Sequence, residues 1–528
     1  MHRLSKSRAK INVVSLSIVF GLFFFGQILI ILQPQYNTSS EDEFILSFDA
    51  TNEKQEELRS STEQKMPIEK EMPIEKEMAT PNGPPDGTFN TFPVYHQSYR
   101  EGFHSNAHCI GDNFQKDAWK YRSCHFQNLC FDTKDMKFVL FASKEQYELE
   151  KALKSSDLTH FSPASSMNTT LSLGALNPKW GEEQKLLQWY PELRPIEEIV
   201  KTGVYMLQTD KVLIPYHSMA GFNPGHLVWD DFLPLHTLLT TFGLIQKEMV
   251  LIRYDLTLAM WASCQRQWWK CRPIIDKFYP LLGTELNKTT TQNDTSLVIP
   301  SIQKSKYVCS PNGAAGLGML SDHGSKLHGW KPSDYEYAQN IGRGGSLYQF
   351  RNWMMDNIGV PHQGKRIHSP PYRIVVSQGS SSTSSRNASF DDQIKLLREV
   401  VTKKYELDIQ VVKLSTMKLK DQLELVAGTS IFITVCGGGA VTSMFLPKGA
   451  SLFTYFHETD GNGGTPARLD WDLLNNLGYL RVHWLPRPRS GAKTKRGKTM
   501  PGPRQSDFDA FVKLVEHELD VISHTNDY

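Results

Sequence analysis

The sequence predicts an α/β chain with a parallel, doubly wound sheet in its C-terminal part, carried behind a membrane anchor. Three observations predict this. From residue 372 the chain alternates apolar strands with amphipathic helices. A glycine triplet, Gly437, Gly438 and Gly439, stands at the end of one of those strands. Residues 11–32, INVVSLSIVFGLFFFGQILIIL, form an apolar run without a single charge. The 528 residues are too many for one ordinary core. A chain 40% hydrophobic and 22% charged is neither collagen-like nor wholly disordered. A formal charge of +2 argues against whole-chain binding to nucleic acid, and no nucleic-acid partner is expected.

The apolar run sets the compartment. About 20 residues suffice to cross a bilayer core as a helix. Arg3, Lys6, Arg8 and Lys10 precede the run, and Glu41, Asp42 and Glu43 follow it. The positive-inside rule then places 1–10 in the cytosol and the rest in the lumen. The run is longer than a cleaved signal needs and lacks a small-residue cleavage site, so it reads as an uncleaved signal-anchor. Asn37, Asn168, Asn287, Asn293 and Asn387 begin Asn-x-Ser/Thr sequons, which fit a luminal body. All seven cysteines lie beyond the run, where disulfides are permitted. Cys124/Cys130 and Cys264/Cys271 are close enough to suggest local bridges, and neither spacing is that of a zinc finger. Cys436, at the end of a buried strand, is expected to stay unpaired. Residues 33–100 repeat MPIEKE in tandem from Met66 and Met72 and read as a stem with too little apolar surface to fold.

The body begins near 101. KFVLFA (137–142), KVLIPY (211–216) and MVLIRY (249–254) read as strands. GHLVWDDFLPLHTLLTTFGL (225–244) reads as a loop entering an amphipathic helix. Frequent Gly and Pro near 300–370 suggest long loops or a hinge. Then the alternation becomes clear. Strands are expected at 372–378, 408–414, 430–437 and 449–456, and helices at 391–405 and 420–428. Residues 487–505 hold seven basic residues and no acid, and read as a flexible loop. Residues 506–523 form an amphipathic helix with Ser506 or Asp507 as its N-cap.

Ligands of such sheets bind at the carboxyl ends of the strands. VCGGGAVTSMFLPKGA (435–450) runs from a strand into Gly437–Gly439 and a short helix, whose free N–H groups suit a diphosphate. The alternative is a tight strand–helix turn. The Ser-rich stretch 377–390 carries Arg386, which offers a bidentate clamp for phosphate. A glycan on Asn387 would crowd that clamp, so the two assignments exclude each other. Glu458, just past a strand, offers an acceptor to ribose hydroxyls. In the first half His226, Asp230 and Asp231 stand together, and His226 and Asp230 share a face at i,i+4 if the segment is helical. Any of the three can serve as a base. The alternative is that Asp230 or Asp231 caps the following helix. Asp470/Asp472 and Asp507/Asp509 form two Asp-x-Asp triplets that suit a divalent cation or, equally, helix capping.

Arg386, then 421–456, then LDWDLLNNLGYLRVHWLP (469–486) together resemble glycosyltransferase family 61, and GHLVWDDFLP is similar to the family's N-terminal motif. The resemblance covers roughly 225–486 and is strongest over 421–456. It implies a GT-B architecture, two Rossmann-like domains facing a cleft. It also implies inverting transfer from a nucleotide sugar, usually a UDP-sugar, with no essential metal and no cofactor. The C-terminal domain would hold the nucleotide, and the terminal helix would cross back onto the N-terminal domain. Members commonly carry His-Gly-Ala-Gly in the loop. Here Gly437 stands where that His would fall, and Ser443 where an Asn is usual.

The expected organisation is a cytosolic tail (1–10), an anchor (11–32), a stem (33–100), an acceptor-side domain (101–365), a nucleotide-sugar domain (366–486), the basic loop (487–505) and a terminal helix (506–528). The expected function is that of a type II Golgi or endoplasmic-reticulum glycosyltransferase acting on a glycan or glycoprotein hydroxyl. Asp230, Asp231 or His226 takes the acceptor proton; Arg386, Gly437–Gly439 and Glu458 bind the donor. The rival readings are a metal-dependent transferase using Asp470 and Asp472, an inactive glycan-binding relative, and an adhesion module.

Overall fold

The computed structural model describes residues 104–111, 118–155, 169–176, 185–202, 206–208, 210–218, 221, 223–253, 268–283, 289–291, 306–316, 342–361, 367–378, 389–457, 473–487 and 504–524. The chain separates into 1–72 and 73–528, and every described residue belongs to the second unit. The tail, the anchor, the stem and all five sequon asparagines lie outside the described residues. Among the described residues no helix is long and apolar enough to cross a membrane.

Two sheets share the first half. β1 (Asn106–Ile110) and β2 (Ser123–Gln127) are antiparallel, and the chain passes from β2 through Asn128 into β3 (Leu129–Asp132). Asn128 has φ 55°, a left-handed conformation that Asn enters more readily than most residues, and here the chain changes sheets. β3 pairs with β4 (Lys137–Ala142) and with β12 (Tyr307–Ser310). β7 (Glu192–Pro195) and β8 (Met206–Gln208) complete that sheet in the order β7-β4-β3-β12-β8. β5 (Leu171–Leu176) and β6 (Lys185–Trp189) form a separate antiparallel pair. The other sheet runs β1-β2-β13-β9-β10-β11, through β13 (Gly313–Gly316), β9 (Val212–Tyr216), β10 (Met249–Arg253) and β11 (Thr289–Thr291). From β13 onward its pairs are parallel. The run VLIPY of β9 is buried at every residue, as a strand covered on both faces requires.

The disulfides follow strand register. Cys109 and Cys124 are direct partners on β1 and β2, and Cys130 and Cys309 on β3 and β12; both pairs are bonded. The local Cys124/Cys130 bridge suggested by spacing is therefore wrong, because the turn at Asn128 sends the two cysteines into different sheets. Cys271 is disulfide-bonded to a partner outside the described residues. Cys436 forms no disulfide, as expected.

The helices of the first half are α1 (Lys144–Ser155), α2 (Glu197–Thr202), α3 and α4 (Trp268–Phe278). α3 joins β9 to β10 as one unbroken helix: an α-turn Pro224–His226, a π-helical stretch Leu227–Phe232 and an α-helix Leu233–Thr241. It starts earlier than the sequence suggested, because Asn223 caps it through a 3.0 Å bond from Gly225 N–H and Pro224 occupies the first turn. The region near 300–370, expected to be loop or hinge, contributes β12, β13 and the helix α5 (Gly344–Asn357). Leu347, Phe350, Met354 and Met355 give α5 a buried stripe that outweighs the surrounding glycines.

The second half is one parallel sheet, β14 (Tyr372–Ser377), β15 (Leu407–Val412), β16 (Ile431–Val435), β17 (Ser451–His457) and β18 (Arg481–Arg487), in the order β15-β14-β16-β17-β18. The residues of each strand alternate between two cores. Val375, Phe432 and Leu452 join a cluster with α7 (Leu419–Val426), while Ile374, Val376, Ile433 and Phe453 join another with α6 (Asp391–Glu399). The first cluster is continuous with buried side chains of 212–282, so the sheet and α3 share one core.

The last helix, α8 (Gln505–His524), buries Phe511, Val515, Leu519 and Ile522 on the α6 face of this same sheet. Among the described residues its buried side chains meet this sheet and not the first half, where the resemblance had placed it. Its start is set by Asp507, which accepts from Arg504 N–H at 2.8 Å, and Asp509 accepts from Gln505. The second Asp-x-Asp triplet is thus spent on the helix terminus. Glu518 locks the helix in place. Its buried carboxylate accepts from Ser451 Oγ and from Arg481 Nε at 2.6 Å, with His483 Nε2 3.1 Å away. These hydrogen bonds outweigh the desolvation that opposes them and hold the Glu518 carboxyl down at about 2, against an ordinary 4.5. A carboxylate with a depressed pKa adds stability above its unfolded value and loses it as pH falls. Glu518→Ala is therefore expected to cost about 3 kcal/mol at neutral pH, the low end for breaking a buried pair because Arg481 reaches solvent. In thermal denaturation the gap between wild type and variant should narrow as pH falls from 4.5 towards 2.

Candidate active site

The strand order locates the site. It reverses between β14 and β16: β14 leads to α6 on one face, and β15 leads to α7 on the other. The crevice outside the carboxyl ends of these two strands is the switch point where such sheets take their ligands. β14 ends at Ser377, ahead of the stretch carrying Arg386, and β16 ends at Val435, ahead of Cys436 and the glycine triplet. The two candidate donor-binding segments thus leave adjacent strands at the switch point.

Gly437 makes the turn. Its φ of 119° and ψ of −172° fall in a region that essentially only glycine occupies. Cys436 N–H still donates to Tyr455 O of the neighbouring strand at 2.9 Å, so the sheet holds the chain up to the residue before the turn. Gly437 O then accepts from Ala440 N–H at 2.7 Å and opens a 3-10 helix over Gly438–Phe445. The short helix expected here is of this tighter kind. Ser443 is fully buried, and its hydroxyl donates to Ala440 O at 2.6 Å. The Ser that stands where the resemblance would place an Asn is therefore spent on the segment's own backbone.

α3 brings the other half of the site. Its first turn, Pro224–His226, packs against Gly438–Phe445. His226 and Asp230 meet at i,i+4, with Nδ1 2.6 Å from Oδ2 and both side chains at least nine-tenths buried. When Nδ1 carries the proton, the imidazole donates to the carboxylate. Burial raises the Asp230 carboxyl above its ordinary range, and the hydrogen bond from His226 opposes that rise. Asp231 points elsewhere and accepts from Ser218 Oγ at 2.5 Å, just past the carboxyl end of β9. Both aspartates lie inside the π-helical stretch, where Leu233 N–H reaches back to Val228 O. They do not cap a helix. A π-turn inside an α-helix commonly marks a functional position.

Of the sequence candidates, the structure thus brings Gly437–Gly439 and the turn holding His226 together, with Asp230 bonded to that His. Arg386, Glu458, Asp470 and Asp472 lie outside the described residues. Among the described residues no group of three or more His, Cys, Asp or Glu is placed to hold a metal ion. Sequence reasoning missed Ser218 and two residues beneath the loop, Arg351 and Tyr479. Arg351 had a signal: it interrupts the apolar stripe Leu347, Phe350, Met354, Met355 at helical spacing. Ser218 and Tyr479 had none.

Sheet order, glycine loop and the neighbouring His–Asp pair mark a candidate ligand crevice at the carboxyl edge of the parallel sheet β15-β14-β16-β17-β18. Comparison with known proteins adds a likeness. Residues 337–453 match the family model described as Glycosyltransferase 61, from α5 through the glycine loop into β17. It is also 23% identical over 239 residues to protein O-linked-mannose beta-1,4-N-acetylglucosaminyltransferase 2 of Mus musculus. That alignment covers 44% of this chain and 36% of the mouse protein, little more than a third of the relative's length.

Gly437→Ala should disrupt the loop, since a Cβ is strained at φ 119°. A loss of about 1–3 kcal/mol in chemical denaturation is expected. Gly449→Ala, at φ 85° but on the turn into β17, is the control for strain away from the crevice.

Proposed function

We propose that this protein is an inverting glycosyltransferase of the secretory pathway, anchored as a type II membrane protein through residues 11–32. In this reading it has the GT-B architecture and moves a sugar from a nucleotide sugar, a UDP-sugar first of all, to a hydroxyl of a glycan or glycoprotein. The family match over 337–453 supports the reaction class. The observation that carries the assignment of the site is the packing of Pro224–His226 against Gly438–Phe445 at the switch point of the sheet. It puts a candidate base beside a candidate diphosphate cradle, as a group transfer requires.

The chemistry follows from those groups. The diphosphate lies on the amides that follow Gly437, with Arg386 as its counter-charge. As the bond between the anomeric carbon and the diphosphate breaks, its electron pair leaves with the diphosphate, and these donors stabilise the growing charge. The acceptor oxygen attacks the anomeric carbon from the opposite face, so the configuration inverts. His226 takes the hydroxyl proton, and Asp230 holds the imidazole through Nδ1 and stabilises the imidazolium that forms. Asp231, tied to Ser218, fixes the helix to the end of β9 rather than accepting the proton. No step calls for a metal, so transfer should persist in EDTA. The mouse relative is named for transfer of N-acetylglucosamine, which makes UDP-N-acetylglucosamine the first donor to test.

His226→Ala should lower kcat by about 10²–10⁴ while leaving donor binding in place, the range for removing a general base. Asp230→Asn should lower it too and shift the pH–rate profile. Full transfer by His226→Ala would remove the base from this account. Arg386→Ala should weaken the donor instead; unchanged donor KM and kcat in that variant would sink the diphosphate role of Arg386.

A further inference from the structure

Beneath the glycine loop lies a buried cation that, among the described residues, has no carboxylate partner. Arg351, on α5, is fully buried. Its Nη2 donates to Phe445 O at 3.0 Å and its Nη1 to Asn352 Oδ1 at 2.6 Å, and the guanidinium carbon lies 5.5 Å from the centre of the Tyr348 ring. Among the described residues no acid stands within ion-pair distance of it. Burying a guanidinium is costly, so its bond to Phe445 O needs a reason.

The reason lies in the 3-10 helix. Such a helix leaves its last carbonyls without partners inside the helix. Ser443 O is taken by Leu446 N–H. The two that follow are taken by side chains from distant parts of the chain. Tyr479, from the turn ahead of β18, donates its hydroxyl to Met444 O at 2.6 Å, and Arg351 takes Phe445 O. Burial raises the Tyr479 pKa, which keeps that hydroxyl a donor. The rings of Tyr348 and Tyr479 lie 4.9 Å apart, so the two supports meet at this end of the helix. A cation at a helix C-terminus is also favoured by the helix dipole. One end of the helix is thus fixed by the Gly437 turn and the other by two side chains, and the helix between them is only roughly 15 Å long.

We propose that Arg351 and Tyr479 are positioning residues of the nucleotide site: by holding the C-terminal end of Gly438–Phe445 they fix the direction of the amides at its N-terminal end, where the donor diphosphate lies. This rests on the reading of the glycine loop as the donor cradle. Neither residue touches the donor. Their loss acts through the loop on donor affinity and leaves the acceptor side, built on α3, unchanged.

The test is titration of UDP, and separately GDP, into the full chain, with KM measured for donor and for acceptor. Tyr479→Phe removes one hydroxyl and keeps the ring, so it should fold with a Tm close to that of the wild type. It should weaken nucleotide binding and raise donor KM about tenfold, the equivalent of one lost hydrogen bond, with acceptor KM unchanged. Arg351→Met should weaken binding further, and Arg351→Lys should restore part of the loss. If Tyr479→Phe binds nucleotide as the wild type does, or if donor and acceptor KM rise together, the positioning role is overturned while the nucleotide site stands. If the wild type binds neither UDP nor GDP, the reading of the loop falls and the proposal falls with it.

Discussion

The turn at Gly437 is the constraint on which the rest of the site depends. β16 must end before it, because Gly437 takes a backbone conformation closed to side chains. The sheet fixes the position of the turn through Cys436 N–H and Tyr455 O. The turn fixes the start of the 3-10 helix, and the helix presents its flank to the first turn of α3. The turn therefore sets the loop beside α3, whose own place is fixed by the Asn223 cap and by Asp231 on Ser218. The Gly that stands where the resemblance would place a His has a structural side as well. With the backbone as it stands, a His at 437 would be strained.

Around this turn the protein distributes buried charge in three ways. Glu518 is paired and hydrogen-bonded, and serves to fasten the last helix to the sheet. His226 and Asp230 share one short hydrogen bond in a desolvated place, the arrangement from which acid–base chemistry is drawn. Arg351 has carbonyl, amide and ring contacts and, among the described residues, no acid. Only the first of these fits a purely structural account. The other two border the same segment, Gly438–Phe445.

Much of the second half was legible in the sequence because its signals are local. YRIVVSQ, SIFITVCG and the helix at 420–428 carry continuous apolar runs or helical periodicity that need no knowledge of distant contacts. The i,i+4 relation of His226 and Asp230 was legible for the same reason. What the sequence hid depends on pairing across the chain. The disulfides follow the registers of β1–β2 and β3–β12, which bring Cys130 to a partner 179 residues away. β18 was not read as a strand, because RVHWLPR looks ordinary until β17 lies beside it. Tyr479 reaches Met444 only through that same pairing, and the side of the sheet taken by α8 is fixed by Glu518 meeting Arg481 and Ser451.

The central claim is that the amides following Gly437 cradle a nucleotide sugar's diphosphate beside His226. A structure of the full chain with UDP bound tests it most directly. The account predicts the diphosphate within hydrogen-bond distance of the backbone amides of Gly438–Ala440, with His226 on the side from which an acceptor would approach. UDP bound elsewhere, at the carboxyl ends of β9 and β10 or away from both sheets, would contradict it.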